Sequence, residues 1–221
     1  LREVKVTVDR QGFLFNGTAC GPQTASGSST STTGATSAAS ATVQVTACDR
    51  LAFAPTISAT TGGRPTRNNG ASLFVTVAQP AGQVNIRQVS VQLPKGYSAR
   101  GTTVAQACLR TTFDADPSKC PAASRVGTAD AATPTLPFQL PGTAYLVARN
   151  AALPTLEVLL SKDLVNLHLS SLIAFDKRYI STFQNLPDVP VTTFQLDQPQ
   201  GPNSSLAWTG ADICSRPLSM P

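Results

Sequence analysis

Short runs of alternating apolar and polar residues dominate this sequence, and each run is ended by Pro, Gly, Asn or Asp after about eight to twelve residues. The 17 prolines and 15 glycines are spread along the chain, so few segments could form a long helix without interruption. Alternation with a period of two places every second side chain on one face of a strand. The pattern therefore predicts an all-β fold, built as one or more antiparallel β-sandwiches.

Two segments in the middle of the chain refine this prediction. In NIRQVSVQL the apolar positions change parity between Ile86 and Val89, which predicts a β-bulge near Arg87-Gln88. The next segment, TTVAQACL, has apolar residues at helical spacing. It predicts one short helix near residues 102–109, with Thr102 or Thr103 as its N-cap.

The segment between Cys20 and Cys48 consists largely of Ser, Thr, Ala and Gly. Such side chains bury too little surface to offset the entropy of ordering the segment, so we expect a loop with a mobile tip. Regularly spaced strand candidates begin after it. We therefore predict an N-terminal β segment with a Ser/Thr-rich loop over residues 1–50, and a β-sandwich domain over residues 51–221.

The five cysteines favour disulfide bonds formed outside the cytosol. Cys20 with Cys48 would close the Ser/Thr-rich loop, and Cys108 with Cys120 would fasten the predicted helix to the chain that enters the next strand. Cys214 is then left unpaired, and because the sequence opens abruptly like a fragment, we expect its partner in a further part of the polypeptide. We expect no metal site, since the chain has one histidine and no C-x-x-C pair.

The net charge of +5 does not indicate a nucleic-acid partner. The basic residues are scattered, whereas nucleic-acid binding usually needs a basic stripe. No apolar run approaches the roughly 18 residues that a transmembrane helix requires. We therefore predict neither nucleic-acid binding nor a membrane span in these residues.

Candidate catalytic groups are few. His168 has Ser170 and Ser171 on the same strand candidate but no G-x-S-x-G motif, so we interpret it as a structural or surface histidine. Glu157 lies in a strand candidate and is interpreted as solvent-facing. Asp114, Asp116 and Ser118 have the spacing that begins a calcium loop, but the glycine and the acidic residue that should follow are missing, which favours a polar cystine loop. We predict no catalytic residue and no cofactor.

Carbohydrate binding would need exposed aromatic rings on which sugars can stack, and this chain has one Trp and three Tyr. Trp208 and Tyr97 are the candidate binding residues, with burial of Trp208 in the core as the alternative. Asn16-Gly-Thr and Asn203-Ser-Ser match the N-glycosylation acceptor pattern. Whether either asparagine is modified, or simply lies in a turn, the sequence leaves open.

Several segments together resemble a family of large secreted tandem-repeat surface proteins of high-GC Gram-positive bacteria, and the resemblance covers nearly the whole chain. It implies an extracellular or cell-surface location, with neighbouring repeats of the same polypeptide as partners, and the family has no assigned activity. The long Ser/Thr-rich insertion departs from the family pattern. The segments are QGFLFNGTACGP, VTACDRLAFAPTISATTGG, GQVNIRQVSVQLPKG, CPAASRVGTADAATPTLPFQLPGTAYLV and LPDVPVTTFQLDQPQGPNSSLA.

Strand periodicity, cystines and the lack of catalytic motifs lead to one expectation. The chain is a non-enzymatic structural or adhesive module of a larger surface protein, with a cell-wall glycan or another surface protein as the external partner. The alternative is a carbohydrate- or cell-wall-binding module.

Overall fold

A computed structural model describes residues 5–7, 9, 17–62, 68–175 and 178–208. These residues form 13 strands and two short α-helices, which confirms the predicted all-β class with a short helix. The strands are β1 (Pro22–Thr30), β2 (Thr36–Gln44), β3 (Thr56–Thr60), β4 (Leu73–Ala78), β5 (Val89–Gln92), β6 (Tyr97–Ala99), β7 (Arg125–Ala132), β8 (Leu140–Val147), β9 (Thr155–Lys162), β10 (Val165–Phe175), β11 (Tyr179–Phe183), β12 (Thr193–Gln198) and β13 (Leu206–Trp208), and the helices are α1 (Gly101–Val104) and α2 (Arg110–Ala115).

Nine strands form a single antiparallel sheet in the order β3-β4-β12-β7-β8-β9-β10-β11-β5. The sheet curls, so that strands near its opposite ends share one apolar core: Val75 of β4 and Val91 of β5 both contribute to it. The facing layers of the predicted sandwich are therefore opposite parts of one curled sheet. A separate two-stranded ribbon pairs β6 with β13.

Alternation along each strand decides which side chains enter this core. On β10, Leu169 and Ile173 are buried and Leu167 is half-buried, while His168 and Ser170 between them point to the outer face. The neighbouring strand β9 is buried on both faces, because Leu156 and other inner residues pack in the core and α2 covers the outer side. The middle of the sheet therefore has two buried faces.

The helix prediction needs a correction in detail. Helix α1 ends at Val104, and its N-cap is Arg100, which makes no side-chain capping bond. Neither Thr102 nor Thr103 is the cap; the Thr103 hydroxyl donates instead to the carbonyl oxygen of Ser204 at 2.7 Å. The expected cap is wrong because a partner distant in sequence takes that hydroxyl.

The predicted β-bulge near Arg87-Gln88 is also wrong. Strand β5 begins only at Val89, and the residues before it are irregular. The change of parity marks the point where sheet pairing starts. An irregularity of register lies instead in β7, between Arg125 and Gly127.

The Ser/Thr-rich segment is a regular hairpin, whereas its composition predicted a loop. Strands β1 and β2 pair antiparallel from Pro22↔Gln44 to Thr30↔Thr36, and all their residues are exposed. Backbone pairing needs no buried side chain, and the β-branched threonines favour extended conformations. The Cys20–Cys48 disulfide, with Cα atoms 5.5 Å apart, joins the two ends of the hairpin. The division of the chain at residue 50 stays a prediction.

Candidate functional site

The outer face of the sheet carries a row of polar side chains where β8, β9 and β10 run side by side. Glu157 of β9 pairs with Tyr145 of β8 on one side and with Ser170 of β10 on the other. Since side chains two residues apart on a strand share a face, Thr155 and His168 lie on this face too. The sheet register alone therefore gathers Thr155, Glu157, His168 and Ser170.

Helix α2 covers this row. The chain enters α2 through Cys108, whose backbone N–H donates to Leu146 O at 2.8 Å and whose carbonyl accepts from Ala148 N at 2.8 Å. A disulfide joins Cys108 to Cys120, with Cα atoms 5.3 Å apart. Phe113 of α2 is consequently buried against the sheet.

Two ring contacts seat α2 on the sheet. The ring of Phe113 lies 5.6 Å from that of Tyr145 in an edge-to-face arrangement, and 5.6 Å from that of His168. Arg110, one turn before Phe113, reaches from α2 to the polar row. Helix α2 thus places both an apolar ring and a positively charged guanidinium group over the polar row.

Glu157 is the centre of this arrangement, and its side chain is fully buried. Its Oε1 accepts hydrogen bonds from Arg110 Nη2 and from Thr155 Oγ1, each at 2.5 Å. Its Oε2 lies 2.8 Å from His168 Nε2. We call Arg110, Thr155, Glu157, His168 and Ser170 the carboxylate cluster.

The carboxylate cluster keeps Glu157 ionised. Burial by itself raises the pKa of Glu157, but hydrogen bonds from Thr155, Arg110, His168 and Ser170 outweigh it and hold the pKa below its ordinary value. An ionised carboxylate only accepts hydrogen bonds, so His168 Nε2 must carry the proton that lies between the two groups. The second ring nitrogen, Nδ1, is then the one left for other chemistry.

The geometry of the carboxylate cluster does not form a nucleophilic triad. A triad needs a hydroxyl or thiol bonded to the histidine nitrogen that the acid does not hold. Within the described ranges, no hydroxyl or thiol group forms a hydrogen bond with His168. The Ser170 hydroxyl bonds to Glu157 instead. Glu157 already accepts bonds at both oxygens. The cluster is therefore suited to holding a buried charge in place.

A second carboxylate, Asp188, joins three parts of the chain. Its Oδ1 accepts from Thr18 N and Thr18 Oγ1, each at 3.0 Å, and from Asn85 Nδ2 at 2.8 Å, and its Oδ2 accepts from Ala19 N at 3.0 Å. Partial burial raises the pKa of Asp188, but these bonds outweigh it and leave the pKa lower than usual. The loop between β11 and β12 is thereby tied to the segment that precedes Cys20.

The sequence-predicted disulfide residues are paired as expected. Cys20 is bonded to Cys48, and Cys108 to Cys120, which confirms both pairings. Cys214 and Asn16 lie outside the described residues. Asn203 is exposed in the loop that precedes β13.

Tyr97 and Trp208, the candidate sugar-binding residues, lie together on the β6–β13 ribbon. Their ring centroids are 4.9 Å apart in an edge-to-face contact, and Tyr97 is buried. The Trp208 ring also packs on Gly96, whose φ is +102° and where an added Cβ would lie 2.7 Å from the ring. The structure thus brings the two candidate residues together, and their rings pack mainly on each other.

The acidic residues near the Cys108–Cys120 disulfide have structural partners. Asp116 Oδ1 accepts from Ser118 N at 3.0 Å and from Ser118 Oγ at 2.6 Å, which caps a short 3-10 turn, and Asp114 lies 3.5 Å from Arg110. In the part of the chain that the structure describes, no three His, Cys, Asp or Glu side chains are grouped to hold a metal ion. The same residues contain no helix that is both long and apolar enough to cross a bilayer.

Sequence reasoning missed the burial of Glu157 and the role of Arg110. The expected solvent-facing position of Glu157 is wrong, because α2 covers it. The available signal was an Arg two residues after a paired cysteine, on a helix held near the strands by that disulfide. Asp188 carried no sequence signal, since its partners lie more than 100 residues away.

Comparison with known proteins gives no match: no family model, no curated protein and no solved structure is similar to this chain.

Proposed function

We propose that this chain is a non-enzymatic structural and adhesive module of a larger extracellular surface protein. The observation that carries the proposal is the carboxylate cluster. Glu157 bonds to His168, the single histidine of the chain, and to Arg110 of α2, while the His168 ring contacts Phe113 of the same helix. A buried ion pair that holds a helix on a sheet is a feature expected of a structural module.

The cystines support the extracellular part of this proposal. Disulfides persist in oxidising compartments, and both observed bonds close short segments, with separations of 28 and 12 residues. Each fastens a segment with few buried side chains of its own: the hairpin in one case, the turn around α2 in the other. Such covalent ties compensate for limited local packing.

The β1–β2 hairpin supports the adhesive part. Its strands expose hydroxyls and two unpaired backbone edges along about 30 Å. Exposed edges can pair with a strand of another chain, and adding a strand in this way is a common mode of recognition. The expected partners are neighbouring repeats, a cell-wall glycan or another surface protein.

The test compares adhesion and turnover on one preparation. Beads coated with the chain are expected to adhere to beads coated with a second copy or to isolated cell wall, and replacing residues 22–44 by a short Gly-Ser turn should reduce adhesion at least fivefold. A glycan array with wild type and Trp208→Ala tests the carbohydrate-binding alternative. Adhesion that is unchanged by the hairpin deletion would contradict the adhesive role.

Turnover is tested with ester, peptide and glycoside substrates, and no hydrolysis is expected. Hydrolysis that His168→Ala abolishes while the fold is retained would overturn the non-enzymatic proposal. Hydrolysis that persists in His168→Ala would also contradict the non-enzymatic proposal, but it would leave the structural assignment of this cluster intact.

A further inference from the structure

The β1–β2 hairpin has two chemically different faces. Residues paired across the two strands share a face, so the register gathers small apolar residues on one side of the hairpin. These residues are Ala25, Gly27, Ala39, Ala41 and Val43. The other face carries hydroxyl groups, which belong to Thr24, Ser26, Ser28, Thr30, Thr36, Ser40 and Thr42. The hairpin is therefore two-faced, although all its strand residues are exposed.

Strand β3 has the same two faces. It is the first strand of the nine-stranded sheet, and β4 is its one partner among the described strands. Ile57 and Ala59 lie opposite buried valines of β4, so they belong to the inner face of the sheet. The three residues that alternate with them are Thr, Ser and Thr, on the outer face. Strand β3 thus alternates hydroxyl and apolar side chains, as β2 does from Ser40 to Val43.

The inner face of β3 is uncovered. All five residues of β3 are exposed, and Ile57 is 54% exposed although its cross-strand partner Val77 is buried. Strand β5, at the opposite end of the sheet, differs, because its inner residues Val89 and Val91 are half-buried against the core. A further strand placed beside β3 would remove Ile57 from water, which is favourable.

Neither the hairpin nor β3 carries the features that usually prevent strand addition. Edge strands are commonly protected by charged side chains, by proline or by bulges. No charged residue lies between Cys20 and Cys48 or within β3, and neither β2 nor β3 contains proline. The pairing of β1 with β2 and of β3 with β4 has no break in register. Both free edges are therefore open to a further strand.

Resting on the adhesive function proposed above, we propose that β2 of one copy of this chain adds to the free edge of β3 in a second copy. The hairpin then extends the nine-stranded sheet by two strands. Its apolar face continues the inner face beside Ile57, and its hydroxyl face continues the outer one. Since the donor and acceptor edges are different surfaces, the contact is heterologous and repeats from copy to copy.

The contact is small and should be weak between separate chains. The five residues of β3 span about 17 Å, whereas stable complexes bury roughly 1,200–2,000 Å². We expect a dissociation constant of about 100 µM between separate chains. Copies that are linked in one polypeptide reach effective concentrations in the millimolar range, where most of these contacts form.

Two complementary variants test the proposal by sedimentation velocity. Ile57→Lys places a charge on the inner face of the acceptor edge and leaves the hairpin intact. The hairpin replacement, in which a short Gly-Ser turn replaces residues 22–44, removes the donor strand and leaves β3 intact. Wild type should associate between about 10 µM and about 1 mM, and in each variant alone the association should weaken about tenfold or more. An equimolar mixture of the two variants should form a 1:1 complex, because each supplies the edge that the other lacks.

Leu164→Lys is the matched control. It adds the same charge at a position that is 97% exposed in the turn between β9 and β10, and it should associate as wild type does. Ala59→Lys is a second acceptor variant on the same exposed face, and it tests the proposal even where Ile57→Lys fails to fold. Circular dichroism verifies that each variant is folded.

Four results would overturn the proposal. Association of Ile57→Lys alone at wild-type strength would show that the hairpins pair with each other, and association of the hairpin replacement alone would show that the hairpin is not the donor. The other two are an absence of complex in the mixture and a wild type that stays monomeric at about 1 mM.

Adhesion of coated beads separates this contact from the adhesive function itself. Adhesion that needs the hairpin but is unchanged in Ile57→Lys would overturn strand addition alone. Adhesion that survives replacement of the hairpin would contradict the adhesive role.

Discussion

His168 Nε2 lies 2.8 Å from Glu157 Oε2, between adjacent strands of the sheet and under the cover of α2. Histidine is half-exposed at this position, whereas the carboxylate is fully buried. The imidazole therefore shields one side of the buried carboxylate from solvent, and Arg110 of α2 pairs with the same carboxylate from the helix. The stability of the fold should depend on this carboxylate more than on any other acidic residue described.

Removing the charge of Glu157 should destabilise the protein strongly. Glu157→Gln leaves Arg110 without its buried partner, and breaking a buried ion pair on one side costs about 3 kcal/mol. The free energy of unfolding in urea measures this cost. Asp114→Asn is the matched control, because Asp114 also pairs with Arg110 but is exposed, and it should cost less than about 1 kcal/mol. Equal effects of the two variants would contradict this ranking.

The same carboxylate should shape the stability at acid pH. Since the pKa of Glu157 is lowered in the folded state, the cluster contributes its full stability above the unfolded value of 4.5 and loses it as the pH falls further, through the folded pKa. Unfolding free energies measured from pH 6 to pH 2 should therefore fall less steeply in Glu157→Gln than in wild type. Parallel curves for the two proteins would show that Glu157 is not held ionised by folding.

Asp188 should control how tightly the segment before Cys20 is held. Asp188→Asn keeps the size of the side chain but removes the charge that Thr18, Ala19 and Asn85 recognise. Because Asp188 is exposed, we expect a loss of only about 1 kcal/mol, together with faster hydrogen exchange at the Thr18 and Ala19 amides. Asp49→Asn, at another exposed aspartate, should leave those amides unchanged. Unaltered hydrogen exchange at these amides in Asp188→Asn would show that Asp188 does not hold the segment before Cys20.

The two disulfides should differ in their effect on the sheet. Replacing Cys108 and Cys120 by Ser should cost about 3 kcal/mol and loosen α2 over Glu157. Replacing Cys20 and Cys48 frees only the base of an exposed hairpin, so the near-ultraviolet circular dichroism of the core aromatics should be retained. Thermal unfolding of both variants provides the comparison. A larger loss of stability from the Cys20–Cys48 pair would contradict this assignment.

Local sequence patterns were sufficient for much of the fold. On β10, Leu167 and Leu169 face inward and His168 faces outward, which follows from the alternation of apolar and polar residues along a half-buried strand. Both cystine pairs followed from closeness in the chain. The hairpin of residues 22–44 could not be predicted from packing, since its regularity comes from backbone pairing between residues that bury nothing.

The carboxylate cluster depended on contacts that the sequence does not record. Glu157 occupies an outward position on β9, as alternation predicts, and only the docking of α2 makes that position buried. Tyr179 likewise follows the inward parity of β11, but the strands that bury it come together only through the curl of the sheet. Burial by a distant element is a property of the tertiary structure and leaves no local pattern.

The structural role of the carboxylate cluster is tested most directly by a double-mutant cycle between Arg110 and Glu157. Unfolding free energies are measured for wild type, Arg110→Met, Glu157→Gln and the double variant, since methionine keeps much of the arginine packing. We expect a coupling energy of about 2 kcal/mol or more, with the double variant less destabilised than the sum of the two single variants. A coupling energy below about 0.5 kcal/mol would show that the two residues act independently and would contradict this expectation.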